Sequence, residues 1–559
     1  RARLARPLDF IVVADHANNM GTMMSRDLSN TNDEFQNSTL GKLWLEALDE
    51  LKNRPGIDLD KLVKGYLSPG HGGKNISVEH EGFRNSIWKD YVETADRFNE
   101  PGHFTAFIGY EWTSQSALDR FENPDGLWEY HNLHRVVIFR EGADVMRDVL
   151  PFTSFDSLDP ERLWEFMDHY ESTTGGSVLA IPHNSNLSLG SMFALHDSEG
   201  EPFTQDYARS RARWEPLVEA TQVKGDSEAH PFLSPNDEFA DFETWNGWAG
   251  RENGGIPWRG ARVPWRDESL IEFEYVRSAL KLGLQQQAEL GTNPFKFGLI
   301  GSTDGHTGLA GIEEDNFWGK QTPSEPKPGR VQQFGATSNW QLNSGGYAAV
   351  WARENTRESI YDAMQRKEVY STTGPRISVR FFGGWDFQDE DSAKPNLAEV
   401  GYKLGVPMGG DLTNAPKKMS PTFLIQAVKD PQGANLDRVQ IIKGWHDKKG
   451  RLHEKVFNVA LSDNRRIRRG GEAALVGNTV DIDSASYTNT IGDPELATVW
   501  KDPDFKKNEL AFYYLRVLEI PTPRWTAYDA KHYNLTDLAE EIVMTTQERA
   551  YTSPIWYTP

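Results

Sequence analysis

Short apolar runs alternate with amphipathic segments over most of the chain, and this alternation constrains the fold more than any other feature. The runs are rich in β-branched or aromatic residues and are short enough to be buried strands of a parallel sheet. They span residues 10–14, 104–110, 135–139, 178–181, 217–220 and 297–300. Helical periodicity appears between and after them at residues 40–51, 157–170, 269–290 and 357–366. Such alternation predicts an α/β barrel or an open doubly wound sheet.

The pattern changes after Thr372-Thr373-Gly374-Pro375, where helical periodicity gives way to alternating strands separated by Gly, Pro, Asn and Asp. The predicted strands span residues 377–382, 422–427, 439–443, 456–460 and 511–519. This pattern predicts a separate antiparallel β domain with the form of a sandwich. Because 559 residues exceed what one core accommodates, we expect an α/β domain over residues 1–375 and a β-rich accessory domain over residues 376–559.

The charge balance and the absence of cysteine limit the chemistry. A net charge of -22 repels phosphate backbones, so we expect no nucleic-acid partner. No apolar run is long enough to span a membrane. With no cysteine, thiolate metal sites and cysteine nucleophiles are excluded, and any metal must be held by His, Asp and Glu.

Side chains that can bind metals accompany the predicted strands of the first domain. Asp15 and His16 follow the first strand, Glu111 follows the second, His134 precedes the third, His183 follows the fourth, Glu219 lies in the fifth, and Asp304 and His306 follow the sixth. The C-terminal edge of a barrel or a parallel sheet is where active sites form. A lone strand-end histidine is more often structural, but this recurrence favours a metal cluster. It also leads us to prefer the barrel over the open sheet.

Four further residues are candidates for supporting roles. Asp15 is predicted to orient a ligand imidazole, and Glu219 to do likewise or to contact substrate. Asn184, beside His183, could orient substrate, although Asn is also an ordinary turn residue. Arg135 could face a phosphate, although a residue next to His134 in a strand normally points the other way. No lysine stands out at a strand end, which is where a carbamylated-lysine site would need one.

Several stretches resemble the PHP (polymerase and histidinol phosphatase) superfamily, and in particular a bacterial branch of unknown function with a C-terminal β domain. They are RPLDFIVVADHANNMG, FTAFIGYEWTS, NLHRVVIF, IPHNSN and GLIGSTDGH, followed by GDPELATVWKDPDF and the tail RAYTSPIWY. The resemblance covers nearly the whole chain. It implies a distorted (β/α)7 barrel with two to three divalent metal ions, zinc, manganese or iron, at its C-terminal mouth.

The resemblance also implies a role for each strand-end residue. Glu111 resembles the carboxylate that bridges two ions, His134 and His183 resemble the other ligands of one of them, Asp304 resembles a ligand of the second, and His16 and His306 resemble ligands of a third. PHP proteins open with a His-x-His motif on the first barrel strand, and this chain contains none. We therefore expect that first strand to be missing from this sequence and to lie before Arg1.

The function that the resemblance implies is hydrolysis of a small phosphate ester by a hydroxide that bridges two metals. Glu111 and Asp304 are the predicted catalytic carboxylates, with Asp304 also handling a proton. The expected partner is a small anionic substrate. The expected location is periplasmic or secreted, with the cytoplasm as the alternative. Two other functions stay open: hydrolysis of C–N or C–O bonds by an amidohydrolase-like site, and a non-catalytic binding or envelope protein.

Overall fold

The computed structural model describes residues 3–20, 81–114, 132–245, 257–258, 261–262, 268–321, 324–331 and 339–559. The predicted helix at residues 40–51 lies outside these ranges. The described chain is a mixed α/β structure with several sheets and a β-rich C-terminal region. None of its described helices combines the length and apolar composition needed to cross a membrane.

The N-terminal part contains the first eleven strands and six helices of the described chain. The strands are β1 (Phe10–Val12), β2 (Thr105–Trp112), β3 (Arg135–Phe139), β4 (Val178–Pro182), β5 (Leu217–Gln222), β6 (Gly225–Asp226), β7 (Pro257–Trp258), β8 (Ala261–Arg262), β9 (Gly298–Gly301), β10 (Tyr347–Val350) and β11 (Val369–Thr372). The helices are α1 (Glu81–Phe98), α2 (Ala143–Met146), α3 (Pro160–Thr174), α4 (Gln205–Trp214), α5 (Val276–Leu290) and α6 (Arg357–Gln365).

All six predicted apolar runs form strands, and local sequence signals define the helix ends. The Asp159 side chain accepts a hydrogen bond from the Glu161 N–H at the start of α3, with Pro160 in its first turn. Thr356 caps α6 in the same way by accepting from the Ser359 N–H. The long helix predicted at residues 269–290 is divided, because a 3₁₀ segment, Glu268–Phe273, precedes α5.

The first four strands form one sheet in the order β1-β2-β3-β4. β1 is parallel to β2, but β3 is antiparallel to both β2 and β4. The expectation that every run is a parallel strand is therefore wrong for β3. Its reversed direction explains why its histidine precedes the strand: the start of β3 lies at the same sheet edge as the ends of β2 and β4.

A second group of strands continues beside β4. β5 is parallel to β9 and antiparallel to the short β6. β4 and β5 are not hydrogen-bonded to each other, and no closed barrel forms among the residues that the structure describes. Strands of both groups nevertheless contribute to one apolar cluster, to which β2, β4, β5 and β9 contribute Phe107, Leu179, Leu217 and Ile300.

The C-terminal region is built mainly of antiparallel strands. They are β12 (Ser378–Gly384), β13 (Gly405–Pro407), β14 (Asp411–Leu412), β15 (Thr422–Val428), β16 (Leu436–His446), β17 (Leu452–Leu461), β18 (Glu495–Lys501), β19 (Leu510–Glu519), β20 (Thr522–Pro523), β21 (Thr545–Thr546), β22 (Arg549–Thr552) and β23 (Ile555–Tyr557). Two helices accompany them, α7 (Leu397–Leu404) and α8 (Trp525–Tyr533). One sheet has the order β13-β12-β15-β18, and a larger one has the order β10-β11-β22-β19-β16-β17. Phe423 of the first sheet and Tyr513 of the second belong to one buried cluster, as expected when two sheets pack face to face.

The larger sheet crosses the predicted domain boundary at residue 375. β10 and β11 come from the N-terminal part, and β11 pairs with β22 near the C-terminus. A second buried cluster also crosses it, because Leu280 of α5 and Phe297 pack with Ile442 of β16 and Trp556 of β23. The division into two domains stays a prediction, but the two parts share both a sheet and a core.

Candidate metal centre

Three strand ends bring Glu111, His134 and His183 together. Glu111 is the second-last residue of β2, His134 immediately precedes β3, and His183 immediately follows β4. Because β3 runs antiparallel between β2 and β4, these positions lie at one edge of the sheet. All three side chains are buried, with at most 5% of each residue exposed.

The geometry of these three residues suits one divalent metal ion. His134 Nδ1 lies 2.8 Å from Glu111 Oε1, and His183 Nε2 lies 3.5 Å from Glu111 Oε2. One ligand atom from each residue can be chosen so that all lie within 4.8 Å of one another. His134 Nε2 and His183 Nδ1 are buried and have no hydrogen-bond partner in the described chain. One carboxylate with two imidazoles is a ligand set that zinc, manganese and iron accept.

The protonation states of Glu111 and His134 also favour metal binding. Burial alone would raise the pKa of Glu111, but the neighbouring His16 and His134 hold it well below its usual value. Burial lowers the pKa of His134 to about 4, against the opposing effect of Glu111. Glu111 is therefore ionised and His134 neutral at pH 7, which is what metal coordination requires. Burial also disfavours the charged form of His183, but its contacts with Glu111 raise its pKa above the usual value.

His16 joins this group from β1. It forms an isolated parallel bridge with Glu111, and its Nδ1 lies 2.8 Å from Glu111 Oε1 and 2.7 Å from Thr113 Oγ1. Its side chain is 34% exposed, whereas the other three are buried. The negative charge of Glu111 raises the pKa of His16. His16 thus lies between the buried group and solvent.

Asp304 and His306 form a second half of the cluster, after β9. Asp304 adopts a left-handed backbone conformation with φ of 46°, and His306 Nε2 lies 3.1 Å from Asp304 Oδ1. The rings of His306 and His16 are 5.3 Å apart between centroids, so the two halves are in contact. The structure therefore brings all six predicted ligands into one continuous cluster.

Two lysines that the sequence reasoning missed also contact Asp304. Lys224 Nζ lies 2.7 Å and Lys320 Nζ 2.9 Å from Asp304 Oδ2. Burial alone would raise the pKa of Asp304, but these two ammonium groups hold it well below its usual value. Lys224 follows β5 by two residues, so it lies at a strand end, where the sequence pattern singled out no lysine. Lys320 carries no comparable sequence signal.

Glu219 and Asn184 lie next to the buried group, as predicted for supporting residues. Glu219 Oε1 accepts a hydrogen bond from the Asn184 N–H at 3.1 Å, and its other oxygen accepts a hydrogen bond from Ser302. Burial raises the pKa of Glu219. Asn184 is left-handed, with φ of 54°, immediately after the candidate ligand His183. Glu219 therefore fixes the backbone that follows His183.

Asp15 contacts the buried group through its backbone, whereas the Arg135 side chain pairs with a residue elsewhere. The Asp15 backbone carbonyl accepts a hydrogen bond from the Glu111 N–H at 2.9 Å, so this residue supports Glu111 through its main chain. The guanidinium of Arg135 does not reach the cluster. Its Nε donates to Glu215 Oε1 at 2.9 Å in a buried ion pair, on the side of the strand away from His134.

A family model matches residues 1–559, and its description reads "Protein of unknown function (DUF3604)". The match covers the whole chain, so the chain belongs to this family. No curated protein and no solved structure matches the chain.

Proposed function

We propose that this member of the DUF3604 family is a metal-dependent hydrolase, specifically a phosphoesterase acting on a small phosphate ester. The observation that carries the proposal is the buried group of Glu111, His134 and His183, in which an ionised carboxylate faces a neutral imidazole. A divalent metal ion held there would supply a Lewis acid that activates water. The sequence resemblance to PHP proteins supports phosphate ester hydrolysis over other bonds.

The residues around the metal group would orient it and move protons. Glu219 holds the chain after His183 through the Asn184 N–H, and Thr113 donates to Glu111 Oε1 at 2.8 Å. His16 is the residue that the geometry favours for proton transfer, because its ring contacts Glu111 and is partly exposed. Asp304 is poorly suited to donate a proton, since its two lysine neighbours keep it ionised.

We also propose that the N-terminal part is a distorted (β/α)7 barrel of the PHP type. Its support is the apolar cluster shared by β2, β3, β4, β5 and β9, into which α6 also packs. Strands arranged around one interior place their ends at a common mouth. A periplasmic or secreted location stays a prediction from the sequence.

The proposal is tested on the full chain after metal removal and reloading with Zn²⁺, Mn²⁺ or Fe²⁺. We expect metal-dependent hydrolysis of phosphomonoesters, phosphodiesters or phosphotriesters, abolished in Glu111→Gln. The exposed Glu199 supplies the matched control, Glu199→Gln, which should retain activity. Turnover confined to amides or lactones would favour the amidohydrolase-like alternative, and no metal-dependent turnover of any of these substrates would reject the hydrolase.

A further inference from the structure

The carboxylate of Asp304 is already surrounded by protein donors. Its Oδ2 accepts hydrogen bonds from Gln222 Nε2 and from Lys320 Nζ, both at 2.9 Å, and forms an ion pair with Lys224 Nζ at 2.7 Å. Its Oδ1 lies 3.1 Å from His306 Nε2. A metal ion could reach Oδ2 only by displacing an ammonium group. The Oδ2 atom of Asp304 therefore does not fit the ligand role that the family resemblance implies.

The two ammonium groups exceed what one carboxylate neutralises. Lys224 and Lys320 are 8% and 9% exposed, and Asp304 is the acidic side chain that pairs with both. The ionised Glu111 also acts on Lys320. Lys224 and Lys320 nevertheless place two ammonium groups on one carboxylate oxygen in a nearly buried position, and buried ammonium groups are costly when their hydrogen-bonding capacity is not met. The net charge of the chain is -22, so this pair of lysines is a local feature and not part of a generally basic surface.

The two lysines differ in how many of their donors are engaged. Lys320 Nζ contacts Asp304 Oδ2, the Asp304 carbonyl and His306 Nε2, which accounts for all three of its N–H groups. Lys224 Nζ contacts the Asp304 carboxylate alone among the described residues. Lys224 thus retains N–H donors for a ligand, and Lys320 fixes Asp304 and adds charge.

The loop after β4 connects this lysine pair with the metal group. It begins at Asn184, next to His183, and Asn186 Nδ2 donates to the Lys224 carbonyl at 3.1 Å. Both polar atoms of the Asn184 amide, Ser185 Oγ and Ser188 Oγ are buried and have no partner in the described part of the chain. Buried polar groups normally have a partner, so these groups, on a loop joined to Lys224 through Asn186, are available to a ligand.

We propose that Lys224 and Lys320, with the loop of residues 184–188, bind the oxygens of a tetrahedral oxyanion such as phosphate or sulfate, beside a single metal ion held by Glu111, His134 and His183. The pair of ammonium groups takes the place of the second and third ions that the resemblance implies. The assignment of this anion as part of a substrate rests on the proposed function, whereas the binding of the anion does not.

Anion binding is measured by calorimetry on the metal-free full chain, with inorganic phosphate and sulfate as separate ligands. We expect one phosphate or sulfate site per chain, with affinity at least tenfold weaker in Lys224→Met and Lys320→Met. Lys403 is exposed on α7, so Lys403→Met is the matched control and should bind like wild type. Binding that is equal in all variants, or absent from the wild type, would overturn the proposal. The stronger of the two ligands identifies the type of oxyanion.

Two further measurements require no lysine variant and so do not depend on variant folding. Saturating phosphate or sulfate should protect Lys224 and Lys320, but not Lys403, from chemical acetylation of the wild-type protein, as followed by mass spectrometry. Elemental analysis should give one metal ion per reloaded chain, and two or three would overturn the single-ion assignment. Anion binding without hydrolysis would reject the hydrolase proposal and support the oxyanion site. Ester hydrolysis with unchanged anion affinity in both lysine variants would support the hydrolase proposal and reject the oxyanion site.

Discussion

At the scale of single residues, the centre depends on one carboxylate that is kept ionised by histidines. Glu111 is buried, and an isolated buried carboxylate would favour its neutral form. His16 and His134, each with Nδ1 at 2.8 Å from Glu111 Oε1, reverse that preference. Burial in turn keeps His134 neutral. The charge on Glu111 and the neutrality of His134 are therefore properties of the assembled site and not of the isolated residues.

The first prediction concerns the loss of one ligand. His134→Ala should lower metal affinity by more than the roughly 10–100-fold that loss of an outer partner costs, because a ligand itself is removed. Equilibrium dialysis followed by elemental analysis measures this change. His169 is an exposed histidine on α3, so His169→Ala serves as the control and should keep the wild-type metal content. Equal metal content in both variants would show that the ion is bound elsewhere.

The second prediction concerns the backbone at Asn184. Left-handed backbone costs about 1–2 kcal/mol for most residues, whereas Gly adopts it freely and Asn tolerates it. Asn184→Ala should therefore be less stable than Asn184→Gly by about 1 kcal/mol, as measured by urea denaturation. Both variants remove the same side-chain amide, so the difference in stability between them reports the cost of the left-handed backbone conformation. Alanine as stable as glycine here would mean that residue 184 is not left-handed in solution.

The strand-end pattern predicted the edge of the sheet at which candidate ligands gather, and the family resemblance selected six of them, but neither indicated what each contacts. Sequence spacing placed Glu111, His183 and Asp304 at strand ends, and the structure groups them with His16, His134 and His306. It did not indicate that Asp304 is neutralised by Lys224 and Lys320. Long lysine side chains reach their partners through rotamers that sequence does not encode, and Lys320 lies 16 residues beyond Asp304.

At the scale of elements, strand existence was predictable and strand direction was not. A five-residue apolar run such as β3 carries no information about its direction, because side chains alternate between the two faces of the sheet in parallel and antiparallel strands alike. The position of His134 before β3 was the available signal, since a ligand at the start of a strand implies reversal relative to β2. The pairing partner of β11 was not predictable either, because β22 lies far along the sequence, close to the C-terminus.

The third prediction concerns the junction where β11 meets β22. Glu548 is buried, contacts Thr373 Oγ1 and is hydrogen-bonded to Glu314. Burial and the neighbouring Glu314 raise the pKa of Glu548 well above its usual value of 4.5. Above pH 4.5 the unfolded chain loses this proton while the folded chain keeps it, so stability falls as pH rises towards the folded-state pKa.

Glu548→Gln should remove this dependence because glutamine does not titrate. We expect the variant and the wild type to have similar denaturation midpoints at about pH 4.5, and the variant to become relatively more stable by up to about 1.4 kcal/mol per pH unit above it. Urea denaturation at a series of pH values measures the difference. The exposed Glu541 gives the control, Glu541→Gln, which should show no comparable trend. A variant that is less stable than wild type at pH 8 would contradict the prediction.

At the scale of the whole molecule, the sequence pattern separated two parts that the structure joins. The change from helical to strand periodicity after residue 375 correctly marks a β-rich region. It does not show that β10 and β11 extend the larger C-terminal sheet or that α5 packs against it. Sheet pairing between distant segments leaves no local periodicity, so composition indicated the two kinds of structure but not their shared core.

A buried charge network also spans the two parts, and it supplies the last prediction. Arg277 on α5 lies 2.7 Å from Glu228 and 2.8 Å from Asp237, and its Nη1 lies 3.2 Å from Glu454 on β17. Removing one member of a buried ion pair typically costs about 3–5 kcal/mol, because its partner is left uncompensated. Arg277→Met should lower the free energy of unfolding by an amount in that range. Arg209 forms an exposed pair with Asp206 on α4, so Arg209→Met should cost about 0–1 kcal/mol.

The form of the transition in Arg277→Met tests whether the two parts unfold together. If the shared sheet and core couple them, far-ultraviolet circular dichroism and tryptophan fluorescence should report one coincident transition, shifted as a whole to lower denaturant. Tryptophans in both parts, such as Trp164 and Trp556, make fluorescence sensitive to each. A first transition that shifts while a second stays at the wild-type midpoint would show two independent domains. In that case the junction at β11 would be an interface between separately stable units, and the metal centre would depend on the N-terminal unit alone.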